Sequence, residues 1–339
     1  MNLTDNRFKG FALVREMLEV PAIMRRFDWS RNREAAEIVR QTGRLFLTGE
    51  GSSRIFPAKN VMALAMGAGI DLTICTDGGR QAHEYDLTKY VVFGASNSGQ
   101  TKEVISLFAR LKALGHKKLF GLTANSGAKL GEFSERCYVL TCGKEKAVAA
   151  TKSVVEQALF YQALLANAVG DSFSRSGLAP AADKAQQALE SDLDPEIVRA
   201  VAGASTIYFA GRNNGVAEEL ALKTNEITRK PSAYLEGTYA VHGIEEVMQN
   251  DAVMIVVDPF EAETEKFREV LVDGVGLKVI AIAGKPTLFP TIEIPAAPGY
   301  DTYLQLLAGW NLLVHVGVAN QVNLDKPMRA RKVGNEFVG

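Results

Sequence analysis

Short apolar runs that do not alternate, each followed by a helical pattern, recur along this 339-residue chain and constrain its fold more than any other feature. RLFLT (44–48), LTICT (72–76), YVVFGA (90–95), KLFGLTA (118–124) and CYVLT (137–141) are all rich in β-branched or aromatic residues. A strand that is apolar on both sides must be covered on both faces. Helices lying between the strands supply that cover, and the sheet they imply is parallel. The expected class is α/β.

The second half repeats the rhythm. STIYFAG (205–211) precedes RNNG and a helical pattern, as RLFLTG precedes EGSS and a helical pattern. Setting Gly49 against Gly211 gives an offset of 162, and the same offset pairs YVVFGAS with AVMIVVD (252–258). LKVIAIAG (277–284) and TIEIP (291–295) complete the order, and each half closes in a long apolar helical pattern. Four correspondences in sequence imply an internal duplication. The expected division is residues 1–171, a linker helix over 172–200, a second domain over 201–325 and a tail over 326–339, with turn signals at Gly177–Pro180 and Asp192–Pro195.

Composition narrows the partners. The formal net charge is −1, so nothing in the bulk charge attracts a polyanion or an anionic membrane, and nucleic acid is not expected. Cys75, Cys137 and Cys142 lack CxxC spacing, which argues against a disulfide framework or a structural metal. The N-terminus has no signal-peptide core, and no apolar run reaches the ~20 residues of a membrane span. The expectation is a soluble cytoplasmic protein.

Three loops could hold a ligand at the carboxyl ends of such strands. In GASNSGQT (94–101), Ser96, Asn97, Ser98 and Thr101 stand where a helix N-terminus offers unpaired N–H groups and a positive dipole end. That is a phosphate cradle without a lysine; the plainer reading is an ordinary helix cap. GEGSSR (49–54) places Ser52 and Ser53 at the next such turn, but Arg54 occupies the third glycine of a dinucleotide fingerprint. AVAATKS (147–153) opens the long helix, where Thr151 and Lys152 either cap it or face a ligand. The turn aligned with SNSGQT in the second half, DPFEAET (258–264), is acidic, so one phosphate site per chain is expected.

Acid and base residues concentrate at 218–247. Glu219, Lys223 and Glu226 lie at i, i+4 and i+7 on one helical face, which is either a solvated salt-bridge stripe or a site at the ligand end of the sheet. A second helix presenting His242 near Glu226 would complete an acid/base pair. His315, in LLVHVGV, reads as a satisfied core histidine; His116 and His83 are less directed.

At this point the chain resembles tandem sugar isomerase (SIS) domains: the isomerase half of glucosamine-6-phosphate synthase, and its stand-alone relatives, the glucosamine-6-phosphate deaminases and ketoamine-6-phosphate deglycases. SNSGQT resembles the family's SxSGxT phosphate loop, GEGSSR its GTS loop, AVAATKS its VASTK loop and EELALKTNEI its EGALKLKEI. The resemblance implies two flavodoxin-like three-layer αβα domains and a sugar phosphate held by Ser52, Ser53, Ser96, Asn97, Ser98 and Thr101. Val148, Thr151 and Glu219 become possible sugar contacts. It further implies that Glu226, with Lys223, moves a proton between C1 and C2. His242 would assist ring opening from a neighbouring subunit, making a homodimer, and Lys332, seven residues after Asp325, would close the site. No metal or organic cofactor is implied.

Three departures bear on the substrate. The chain begins MNLT, without the synthase's N-terminal cysteine, so ammonia is not expected to come from glutamine. Ala150 stands where the family usually has serine, and HGIEE replaces HGP, adding Glu245 and Glu246. The expected activity is a glucosamine-6-phosphate deaminase and aldose–ketose isomerase. A fructosamino-acid-6-phosphate deglycase is the alternative enzyme, and a non-catalytic sugar-phosphate sensor the alternative class.

Overall fold

The computed structural model describes residues 1–170, 173–329 and 336–337. They form two compact units, each discontinuous in sequence. One comprises residues 22–145, 150–178 and 330–339; the other comprises 1–21, 146–149 and 179–329.

The first unit is built on five strands: β1 (Arg44–Thr48), β2 (Thr73–Asp77), β3 (Val91–Ala95), β4 (Leu119–Thr123) and β5 (Arg136–Val139). They lie in the order β2-β1-β3-β4-β5, every neighbouring pair parallel. All five residues of β3 and of β4 are buried, as continuous apolar runs require. Gly94 is what lets the Lys102–Ala113 helix sit down on β3: a Cβ there would come within 2.6 Å of Cε2 of Phe108 and 2.8 Å of Cγ1 of Val104. Gly99, at φ 67°, serves the turn and its packing against Ala128. Packing within the chain thus requires both glycines.

The second unit contains β6 (Ile207–Gly211), β7 (Ser232–Glu236), β8 (Val253–Val257), β9 (Lys278–Ala283) and β10 (Thr291–Glu293). Their order, β10-β9-β8-β6-β7, is again all parallel and repeats the first topology strand for strand. The chain therefore holds two doubly wound αβα folds related by internal duplication. Strand β7 corrects one expectation, that of a second helix presenting His242. It is an edge strand with only Leu235 fully buried, followed by a single 3-10 turn at Tyr239–Val241. An edge strand needs no continuous apolar run, which is why periodicity missed it. The 172–200 segment also differs from one helix: Phe173–Glu190 and Pro195–Gly203 are separate, and Asp194 caps the latter by accepting the Glu196 N–H at 2.8 Å.

His315, on the Asp301–Ala319 helix of this second unit, is not the satisfied core residue expected. Its ring lies 4.8 Å from that of Phe8, and its buried Nε2 has no hydrogen-bond partner among the described residues. Burial, with the N-terminal ammonium and Arg7 adding to it, lowers its pKa to about 4. A histidine whose folded pKa lies below the ordinary 6.5 is protonated first in the unfolded chain. Its contribution to stability is present above pH ~6.5 and is lost as the pH falls towards 4. Urea unfolding should show a falling midpoint across that window, and His315→Gln should flatten it. Equal slopes in the two proteins would contradict the assignment.

Candidate active site

In the order β2-β1-β3, the chain reverses direction across the sheet between β1 and β3, and the crevice at their carboxyl ends is where such sheets take ligands. The turns after β1 and β3 meet there. Gly49 keeps them close, because a Cβ on it would lie 3.0 Å from the Ala95 carbonyl oxygen. Ser52, buried, and Ser53, partly buried, form the 3-10 turn Gly51–Ser53 on one side of the crevice.

On the other side the Ser96 hydroxyl lies 2.7 Å from that of Thr101 and accepts the Thr101 N–H at 3.3 Å. The Ser98 hydroxyl, 3.5 Å from that of Ser96, accepts the Gln100 N–H at 3.2 Å. Thr101 is the N-cap of the Lys102–Ala113 helix, yet its side chain makes no capping bond. The side-chain bond of an ordinary cap is thus not made by Thr101. The hydroxyls cluster over a helix N-terminus whose N–H groups receive no side-chain oxygen from the cap residue, an arrangement suited to an anion.

Asn97 and Thr151 are held differently, by a residue that sequence reasoning did not single out. Glu145, 5% exposed, accepts from the Asn97 amide nitrogen at 2.8 Å. It also accepts from the Thr151 N–H at 2.7 Å and hydroxyl at 3.2 Å, and from the Ser153 N–H at 3.4 Å and hydroxyl at 2.7 Å. Thr151 is fully buried. Its hydroxyl makes no capping bond to the Lys152–Val169 helix and donates to Glu145 instead. Lone glutamates in loops carry no spacing signal, so only the fold could find Glu145.

The end of the tail touches this loop too. Glu336 forms an antiparallel bridge with Thr101, the Phe337 N–H donates to the Gln100 carbonyl at 3.0 Å, and the Phe337 ring lies 6.2 Å from that of Phe133. Lys332 lies outside the described residues.

In the second unit, the Val216–Thr228 helix starts directly after β6, with Gly215 in the left-handed region and Asn214 accepting the Val216 N–H at 3.1 Å. The side chains of Glu219 and Lys223 are completely buried, and that of Glu226 is 30% exposed. The Lys223 ammonium lies 2.6 Å from Glu226 and 3.4 Å from Glu219. This is not a solvated stripe. A buried ammonium holds one partly exposed carboxylate in a fixed orientation.

His242 is exposed on the turn after Tyr239–Val241, and its imidazole has no hydrogen-bond partner among the described residues. Glu245 accepts the Gly243 N–H at 2.6 Å, while Glu246 is exposed. The β6/β8 crevice differs from its counterpart in the first unit. Arg212 donates to Asp258 at 2.5 Å and lies 4.2 Å from the centre of the Phe260 ring, so the acidic turn has its own cation. Val148 is partly buried and belongs to the short 146–149 segment of this unit, where Glu16 accepts the Lys146 and Ala147 N–H groups. Among the described residues no cluster of His, Cys, Asp and Glu could hold a metal ion, and no helix is long and apolar enough to cross a membrane.

No family model matches the chain. It is 25% identical over 344 aligned residues to the glutamine–fructose-6-phosphate aminotransferase (isomerizing) of Aeropyrum pernix, covering 93% of this chain and 53% of that protein. The chain thus spans about half the length of this curated relative. Among solved structures, tagatose-6-phosphate ketose/aldose isomerase from Escherichia coli superposes with a TM-score of 0.77 at 18% identity, covering 96% of this chain and 98% of that one. Glucosamine-6-phosphate deaminase from Thermotoga maritima superposes with a TM-score of 0.73 at 16% identity, covering 96% and 99%.

Proposed function

We propose that this chain, which carries the tandem sugar isomerase (SIS) fold, deaminates and isomerises a phosphorylated amino sugar, glucosamine 6-phosphate, through its open-chain form. The observation that carries the reading is the Lys223–Glu226 pair: a partly exposed carboxylate fixed at 2.6 Å by a fully buried ammonium, on the first helix after β6. A carboxylate so placed is suited to moving a proton between adjacent carbons. The hydroxyl-lined N-terminus of the Lys102–Ala113 helix supplies the complementary feature, a seat for the phosphate of Ser96, Ser98 and Thr101 with Ser52 and Ser53 opposite.

In this reading His242, offered from a neighbouring copy of the chain, moves a proton to the ring oxygen and opens the sugar. Glu226 takes the C2 proton to give an enolamine and returns a proton to C1, leaving an imine at C2. Water adds at C2, the C–N bond breaks, and ammonia leaves with fructose 6-phosphate. The test is incubation with glucosamine 6-phosphate, scoring ammonia and fructose 6-phosphate together. Equal release of both supports the reading. Absence of both, in a protein that fructose 6-phosphate still stabilises against heat, would overturn the deaminase and leave a ketoamine phosphate as substrate.

A further inference from the structure

We propose that Glu145 is a positioning residue of the phosphate seat: it locks the 96–101 loop and the start of the Lys152–Val169 helix to one buried carboxylate. The inference rests on the proposed function for its meaning, and on geometry for its substance. Five described donors converge on Glu145 from two places far apart in sequence, Asn97 on the turn after β3 and Thr151 with Ser153 at the start of the long helix. An ionised carboxylate only accepts, so the Asn97 amide must turn its nitrogen towards Glu145. One of its two N–H groups is thereby committed to Glu145.

Asn97 then acts as a strut. Its main-chain carbonyl oxygen accepts from the Ala124 N–H at 3.1 Å, from the Thr123 hydroxyl at 3.2 Å and from the Asn125 amide at 2.8 Å, which ties the loop to the end of β4 as well. The negative charge of Glu145 is answered by the Thr151 and Ser153 N–H groups, at the positive end of the long helix. The anion site of that helix is therefore occupied from within the chain, and the phosphate is left the N-terminus of Lys102–Ala113, with its hydroxyl cluster.

Glu145→Gln is nearly isosteric, but it removes the negative charge at the start of the long helix and puts an amide donor where a carboxylate oxygen accepts from the Asn97 amide and the Ser153 hydroxyl. Two readouts test the proposal. In the ligand-free protein, amide hydrogen exchange across residues 94–103 should speed up at least tenfold in the variant. With glucosamine 6-phosphate, KM should rise at least tenfold against a kcat change of less than threefold. Asn97→Ala should raise KM similarly, and the double variant should be no worse than Glu145→Gln alone, because both act through one contact. Should Glu145→Gln fail to fold, Asn97→Ala carries both readouts. Unchanged exchange, additive KM effects, or a loss confined to kcat would overturn the proposal. If the native protein neither turns over nor binds a sugar phosphate, the proposed function fails, and the exchange readout alone still decides the role of Glu145.

Discussion

Glu226→Gln should abolish turnover of glucosamine 6-phosphate, lowering kcat by about a thousandfold or more, while fructose 6-phosphate still protects the protein against heat. Glutamine matches the carboxylate in size but cannot take a proton from carbon, and a positioned acid/base group typically contributes 10²–10⁴ in rate. Glu226 is 30% exposed and belongs to the second unit, whereas the hydroxyls of the phosphate seat belong to the first, so the substitution leaves that seat intact. The pair of assays also separates an enzyme from a sensor. A sensor would lose nothing measurable in turnover, having none to lose, and a loss of binding together with activity would show that the carboxylate holds the ligand and does not move its proton.

Lys223→Met should destabilise the fold by about 3–5 kcal/mol, the usual cost of breaking a buried ion pair from one side. Methionine fills much of the lysine's volume but leaves the fully buried Glu219 carboxylate without the ammonium that lies 3.4 Å away. It also frees the Glu226 carboxylate to rotate, so activity should fall along with stability. Replacing Glu219 with leucine at the same time removes the stranded charge, and the double variant should recover part of the lost stability. Urea unfolding of Lys223→Met, Glu219→Leu and the double variant checks this. Simple additivity would mean that the two side chains do not interact in the folded protein.

Much of this architecture could be read from the sequence because buried parallel strands announce themselves as unbroken apolar runs. The nine strands that the runs marked all appear, and the offset between Gly49 and Gly211 foretold two sheets of one topology. The tenth, β7, lies at a sheet edge with only Leu235 buried and gave no run to read. The Glu219–Lys223–Glu226 spacing showed a shared helical face, but spacing is silent on burial, which is what distinguishes a solvated stripe from a buried ammonium. Glu145 illustrates the other limit. Its partners lie 48 residues back at Asn97 and 6 and 8 residues ahead at Thr151 and Ser153, and only the folded turns bring those groups to one carboxylate. The β6/β8 crevice of the second half differs, holding the Arg212–Asp258 pair.

The most direct measurement uses glucosamine 6-phosphate deuterated at C2. The account predicts ammonia and fructose 6-phosphate in equal amounts, released more slowly than from the unlabelled sugar, with the deuterium moved to C1 or exchanged into water. Ammonia released with deuterium still on C2, or no reaction of a compound that the protein demonstrably binds, would contradict proton transfer by Glu226 through an open-chain intermediate.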